Sequence, residues 1–300
     1  MLNGELNKSL RLAGFIAFRL QRFEFSIHYS AFSISAMAII LKSRREIDMM
    51  RRAGRLAWEI LGKMRGAAVS GVSTWEVDDL ARAELQAAGA VSGSRNYPTY
   101  EEGKGFPGYT CISVNEEIVH GIPGKRVLKD GDIVTLDLAL SLDGYCADTA
   151  ITVPIGKVGP LAQKLLDVTS HALVMSIQHV KPGKRWSEVA RLMQHYVEAN
   201  GFNVVRDFVG HGVGRTMHED PKVPNFVSSE GLRTDFTLRP GMTLAVEPMV
   251  VAGKRKVRDP VDGWTMVTAD GKPAAHFEHT VAVTEVGVDV LTDGRAPWGL

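Results

Sequence analysis

The sequence predicts an α+β fold made of two related halves, each pairing helices with antiparallel strands. Three observations predict it. Two helix pairs show helical apolar spacing, their landmarks keep a constant offset of 112 residues, and two matched sets of strand-like strings each carry a pair of carboxylates.

The first helix opens at Ser43, which forms a capping-box pair with Glu46, and Ile47, Met50, Ala57, Leu61 and Met64 then recur on one face. A second helix is opened by Ser73 and Glu76, turns Val77, Leu80 and Leu85 inward, and closes near Gly89. Leu161 to Val180 repeats the long helical pattern. After Pro182 and Gly183 a further helix runs through Val189, Leu192 and Tyr196 to Gly201. The matching landmarks are Gly71 and Gly183, Glu76 and Glu188, Val77 and Val189, Gly89 and Gly201, and four coincidences at one offset indicate duplication.

The strands repeat as well. KDGDIVTLDLAL (129–140) parallels RPGMTLAVEPMV (239–250), which places Asp137 and Glu247 each six residues after a glycine. DTAITV (148–153) parallels EHTVAV (278–283), with Asp148 and Glu278 as the first residue of each string. If Asp143 and Gly144 are the central residues of a tight hairpin turn, Ala139 opposes Asp148, and Asp137 then lies on the same face as Asp148. An ionised carboxylate inside the apolar run IVTLDLAL must be paired or bound to a metal. A satisfied core or turn carboxylate explains any one of the four, but poorly explains all four at symmetric places.

His211, in GHGVGRTMHEDP (210–221), stands among glycines that let backbone approach a ligand, and His218 follows seven residues later. His171, His179 and His195 lie on helices and read as ordinary surface or packed side chains. Four carboxylates plus one imidazole suit two neighbouring divalent ions such as Mn, Fe or Co, with Zn possible, rather than a closed structural zinc site. Two such ions about 3.5–4 Å apart can hold a bridging hydroxide and polarise a carbonyl, which is hydrolase chemistry.

Composition bounds the remainder. Three hundred residues, 45% hydrophobic and 23% charged, exclude disordered and low-complexity classes. A net charge of +1 gives no global field toward nucleic acid or acidic polymers. Two cysteines, Cys111 and Cys146, argue against a disulfide scaffold and fit a reducing compartment. Residues 1–36 carry four bases, two acids and several serines, faintly like an organellar transit peptide. Their apolar stretches are too interrupted for a secretory signal and too short for the roughly 18–20 residues of a membrane span. The expectation is an N-terminal extension over 1–36, disordered or upstream of the true start, and a single catalytic domain over 37–300.

These motifs carry a resemblance. VNEEIVHGIP (114–123), the carboxylate pair in TLDLALSLDGYCADT, GHGVGRTMHEDP, AVEPMV and HFEHTVAVT occur in order, and the sequence over about residues 37–292 resembles type I methionine aminopeptidases of the pita-bread fold. The resemblance implies a curved central antiparallel sheet with Asp137, Asp148, His211, Glu247 and Glu278 as ligands of a dinuclear centre, Asp148 and Glu278 bridging both ions. It implies that a hydroxide held between the ions attacks the methionine carbonyl, that Glu247 shuttles the proton, and that His120 and His218 flank the substrate. The free amino terminus would bind a metal, making the reaction an exopeptidase one. Cys111 and Trp264 match positions lining the methionine pocket, and Tyr97, Tyr109 and Met217 are looser candidates. Met217 stands where an aromatic is usual, and residues 96–109 look longer than usual, so pocket shape is where this chain departs from the pattern.

By the same resemblance the substrate is the initiator methionine of nascent polypeptides, a small second residue is preferred, and the expected setting is a cytoplasmic monomer with no membrane contact. The basic loop Lys254, Arg255, Lys256 and Arg258 reads first as a solvated loop, with contact to ribosomal RNA as the functional alternative. A prolidase or proline aminopeptidase shares all five ligands but resembles this core preceded by a large extra domain, whereas about 40 residues precede Ser43 here. A type II methionine aminopeptidase would carry a helical insertion for which the 36 residues from His211 to Glu247 leave little room. A noncatalytic relative binding nascent chains or ribosomes would be expected to have lost ligands.

Overall fold

The computed structural model describes residues 39–98, 105–258 and 262–293, which fall in one compact unit spanning Ala38–Leu300. The extension expected over 1–36 lies outside the described residues.

Helix α1 (Arg44–Ala67) begins at Ser43, whose side chain accepts the Glu46 N–H while the Glu46 carboxylate accepts the Ser43 N–H, so the expected capping box is formed. Ser73 and Glu76 do the same for α2 (Thr74–Ala87). Strands β1 (Val91–Ser92), β2 (Cys111–Val114), β3 (Glu117–Val119), β4 (Ile133–Leu142) and β5 (Tyr145–Pro154) complete the first half. The second half repeats the order with α3 (Pro160–His179), α4 (Trp186–Ala199), β6 (Asn203–Val204), β7 (Gly210–Gly212), β8 (Glu219–Val223), the short α5 (Ser229–Arg233), β9 (Thr243–Val246) and β10 (Met249–Val251). Strands β11 (Val257–Arg258), β12 (Met266–Thr268), β13 (Ala274–His276), β14 (Glu278–Val283) and β15 (Val288–Val290) follow.

The duplication extends to backbone detail. Gly71 and Gly183, and likewise Gly89 and Gly201, all adopt positive φ at their turns. Ser73 bridges Val127 and, 112 positions on, Arg185 bridges Thr237.

One sheet joins the halves. Its strands run β1-β4-β5-β14-β9-β7-β8, with β2 also paired to β4 and β15 to β14. Every pairing in it is antiparallel. The β4–β5 hairpin has the expected register: Leu142 faces Tyr145 and Ala139 faces Asp148. Its two turn residues, Asp143 (φ 52°) and Gly144 (φ 78°), are both left-handed, as a two-residue hairpin matched to strand twist requires.

Period-2 alternation gives this sheet two chemically different faces. Val134, Leu136, Leu138 and Leu140 of β4 point into a core shared with Ala57, Leu61 and Met64 of α1 and Val77 and Leu85 of α2. In the second half Leu244, Val246, Val281 and Val283 meet Leu165, Leu173, Val189 and Met193 of α3 and α4. All four long helices thus cover one face. The intervening residues, Asp137, Asp148, Glu278 and, just past β9, Glu247, fall on the other.

Candidate metal centre

On that second face the carboxylates of the two halves converge with His211. Ligand-capable atoms of Asp148, His211 and Glu278 all lie within 4.8 Å of one another. The His211 Nε2 is 3.7 Å from Asp148 Oδ2 and 3.7 Å from Glu247 Oε1. Its Nδ1 lies 2.8 Å from the Gly212 carbonyl, a partner that can only accept, so Nδ1 carries a hydrogen and Nε2 is the atom left to meet an ion; without one, burial opposes charging the ring, but the nearby Asp148 and Glu247 outweigh it and favour the protonated form.

The backbone around the site is pinned from both halves. Asp148 N–H donates to Thr280 Oγ1 at 3.0 Å, and Thr149 Oγ1 donates to the Glu278 carbonyl at 2.9 Å. Asn225 Nδ2 donates to the Glu247 carbonyl at 3.0 Å.

The electrostatics are those of a site short of positive charge. Burial pushes the Asp137 and Glu278 carboxyls well above the usual range, and neighbouring carboxylates add to the push. Burial likewise raises Glu247, to about 7, with Asp148 adding to it and His211 opposing. For Asp148 burial alone would act the same way, but hydrogen-bonding and charge from His211 outweigh it and hold the carboxyl low. Asp148 Oδ1 and Glu278 Oε1 are buried without any hydrogen-bond partner. Buried, crowded, unpaired carboxylate oxygens beside an imidazole Nε2 are the donor set a divalent cation satisfies.

His120 and His218 both lie near enough to Asp148 to feel its charge. The His218 ring lies tilted by 49° against His211 with centroids 4.2 Å apart, and its Nδ1 is 3.0 Å from the Tyr97 hydroxyl. His120 adopts a left-handed backbone (φ 59°), packs edge-on against Phe208, and is driven down to a pKa of about 4 by burial. Cys111 is buried directly opposite Asp137 across the β2–β4 ladder. Trp264 meets Phe106 edge to face at 5.2 Å. Met217 packs with Met50, Tyr145 and Val213. Tyr109 is turned into the first-half core instead, its backbone N–H held by Asp78 at 2.9 Å.

One residue of the centre was absent from the sequence reading. His276, 2% exposed, lies 3.7 Å from Glu247 and 3.9 Å from Glu278. The signal available was its position two residues before Glu278, which in extended chain puts both on one face.

The sequence matches metallopeptidase family M24 over residues 48–285. The chain belongs to that family. Among M24 relatives it is 47% identical to methionine aminopeptidase 1 of Bacillus subtilis over 85% of this chain and 99% of the relative. It is 41% identical to the methionine aminopeptidase of Escherichia coli over 85% and 94%. The crystal structure of Thermotoga maritima methionine aminopeptidase superposes with a TM-score of 0.80 at 41% identity, covering 85% of this chain and 99% of that one. The Pyrococcus horikoshii prolidase shares the fold at 19% identity and a TM-score of 0.67, with 64% of its length matched. The M24 pita-bread architecture is therefore the one described above, and the chain sits with the aminopeptidases in sequence. No helix among the described residues is long and apolar enough to cross a membrane.

Proposed function

We propose that this chain removes the N-terminal methionine from nascent polypeptides with a small second residue, using two divalent ions held by Asp137, Asp148, His211, Glu247 and Glu278. The observation that carries the reading is the convergence of carboxylates from both halves with His211 on one sheet face, in a chain 47% identical to a methionine aminopeptidase. The donor set, mostly oxygen with one imidazole, suits Mn, Fe, Co or Zn. Ions bound there supply an acidified water and polarise the scissile carbonyl.

The protein's own groups do the rest. Glu247 takes the proton of the attacking water and passes it to the leaving amine. His218, with Nδ1 engaged by Tyr97, presents Nε2 to the scissile peptide and stabilises charge developing on its oxygen. His120 contacts the peptide near the reacting amide. Cys111, Trp264 and Met217 shape the methionine pocket, and the cleft walls disfavour a bulky second residue. The setting is the cytoplasm, with the chain acting as a monomer. The exposed Lys254, Arg255, Lys256 and Arg258 meet ribosomal RNA; neutralising all four is expected to reduce co-sedimentation with ribosomes, and unchanged co-sedimentation removes that contact.

Hydrolysis of a Met-Ala-Ser peptide by metal-reconstituted protein tests the reading. Methionine release that is abolished by a chelator and in Asp137→Ala, and that falls when leucine replaces the alanine, supports it. Cleavage of a proline-containing dipeptide with no methionine release would replace it with a prolidase reading.

A further inference from the structure

His276 has no role among the five ligands and two substrate histidines proposed above, yet its placement is closely specified. Its backbone is clamped in both directions by one hydroxyl: the His276 N–H donates to Thr152 Oγ1 at 2.8 Å, and Thr152 Oγ1 donates to the His276 carbonyl at 2.7 Å. Thr152 sits on β5 and His276 on β13, so the clamp ties the histidine to the strand that carries Asp148. The ring it positions is buried, and neither ring nitrogen has a hydrogen-bond partner. A buried imidazole left without partners is costly and uncommon in a folded protein.

One of these nitrogens, Nε2, faces a pair of acids. Nε2 is 3.7 Å from Glu247 Oε2 and 3.9 Å from Glu278 Oε2. Glu247 is shared between two imidazoles, because its other oxygen, Oε1, is the atom facing His211 Nε2 at 3.7 Å. Each oxygen of this carboxylate therefore has its own histidine. His211 would meet an ion through Nε2, since Nδ1 is engaged with the Gly212 carbonyl. His276 has no such commitment, so its Nε2 is free to carry the hydrogen, and from 3.7 Å a small approach would bring that N–H onto Glu247 Oε2, complementing the role of His211 on Oε1.

We infer that His276 is a positioning residue of the metal centre: its Nε2–H holds the Glu247 oxygen turned away from His211, and steadies Glu278 beside it, so that both carboxylates meet the ions in a fixed orientation. This rests on the metal-centre reading given above. Hydrogen bonds of this kind to ligating carboxylates fix orientation, and losing one typically weakens metal binding by about 10- to 100-fold.

The test is Mn(II) titration calorimetry on metal-stripped wild type, His276→Ala, His276→Gln and His276→Asn, with thermal unfolding of each metal-free protein as the folding control. The glutamine amide nitrogen occupies the place of Nε2 and the asparagine amide nitrogen that of Nδ1. The expected result is a dissociation constant raised about 10- to 100-fold in the alanine and asparagine variants and restored to within about 3-fold of wild type by glutamine. Should the alanine variant fail to fold, the glutamine and asparagine pair still decides. Equal affinity in those two variants overturns the inference, as does wild-type affinity in the alanine variant. Equal and near-complete loss in all three, with an altered Co(II) absorption spectrum, would make His276 a ligand itself and overturn the positioning role. A wild type that binds no Mn(II), Co(II) or Zn(II) would overturn the metal-centre reading along with it.

Discussion

Asp148 and Glu278 occupy equivalent places in the two halves, and each is held by a threonine of the other half. Thr280 receives the Asp148 N–H, and Thr149 donates to the Glu278 carbonyl. The exchange follows from the β5–β14 pairing, in which Glu278 faces Ala150 and His279 faces Thr149. Threonine suits both places because its hydroxyl both donates and accepts while its methyl branch fits a strand.

Removing one member of this pair separates metal binding from folding. Glu278→Gln is expected to weaken Mn(II) binding by about 100-fold or more while leaving the far-ultraviolet circular dichroism unchanged. Near neutral pH the metal-free variant should unfold at a higher temperature than wild type, because it no longer has to bury a carboxylate, or take up a proton to neutralise it, beside Asp148 and Glu247. Calorimetry with and without Mn(II) measures both effects, and a metal-free variant less stable than wild type contradicts the electrostatic account.

The pH dependence has a definite sign. The Glu247 carboxyl ordinarily titrates near 4.5 and is raised to about 7 here. Its protonation therefore contributes stability that is fully present below about 4.5 and lost as pH rises through about 7. His120 and His276, lowered to about 4 by burial, act oppositely below their ordinary 6.5, but they are common to wild type and Glu247→Gln and cancel in the comparison. The metal-free variant should exceed wild type in Tm by about 5 °C at pH 8.5, with the difference shrinking toward pH 6. Saturating Mn(II) should reverse the order at the higher pH. A difference independent of pH would place the Glu247 titration elsewhere.

Helix α1 offers a stability test on two glycines. A Cβ on Gly54 would overlap the Leu291 carbonyl, whereas one on Gly62 would meet nothing within 4 Å. Gly54→Ala should cost about 1–3 kcal/mol through overpacking against backbone, and Gly62→Ala should stabilise by up to about 1 kcal/mol through helix propensity. Urea unfolding of the two variants checks the contrast, which fails if both shift in the same direction.

Cys111 lies opposite Asp137 in surroundings that favour the neutral thiol. Burial, and then the Asp137 charge, raise its pKa well above the usual thiol value, so the reactive thiolate is scarce at neutral pH. Cys111→Ser should keep kcat within about 3-fold of wild type, with any change falling on KM. Loss of kcat by orders of magnitude, with KM unchanged, would give the thiol a chemical role.

Local signals made much of this molecule legible. The capping serines, the Asp143–Gly144 turn and the period-2 alternation of β4 each act within a few residues, and together they place Asp137 and Asp148 on one face. Tyr109 was beyond such signals, and for His276 spacing offered only the face it shares with Glu278, because the environments of both are set by distant partners. His276 reaches Glu247 because β13 pairs with β10, setting His276 opposite Met249, and Phe277 interrupts the strand before Glu278. Tyr109 was a pocket candidate by position, but Asp78 on α2 captures the N–H groups of Tyr109 and Thr110 and draws the ring toward the helices. Neither pairing leaves a periodic trace.

The threonine exchange across the seam also sets a timetable for biosynthesis. Strand β5 pairs with β4 as soon as its hairpin is made, but its other edge is completed by β14, and 130 residues separate Asp148 from Glu278. At ribosomal speeds of about 5–20 residues per second, that edge waits roughly 6–26 seconds for its partner. Throughout that interval the growing chain presents the unpaired edge of an acid-bearing strand, and the proposed ligand set, two of five at its start, is complete only once Glu278 is made, so ion capture belongs to the end of synthesis and the exposed edge is where a nascent chain of this fold most needs protection from mispairing.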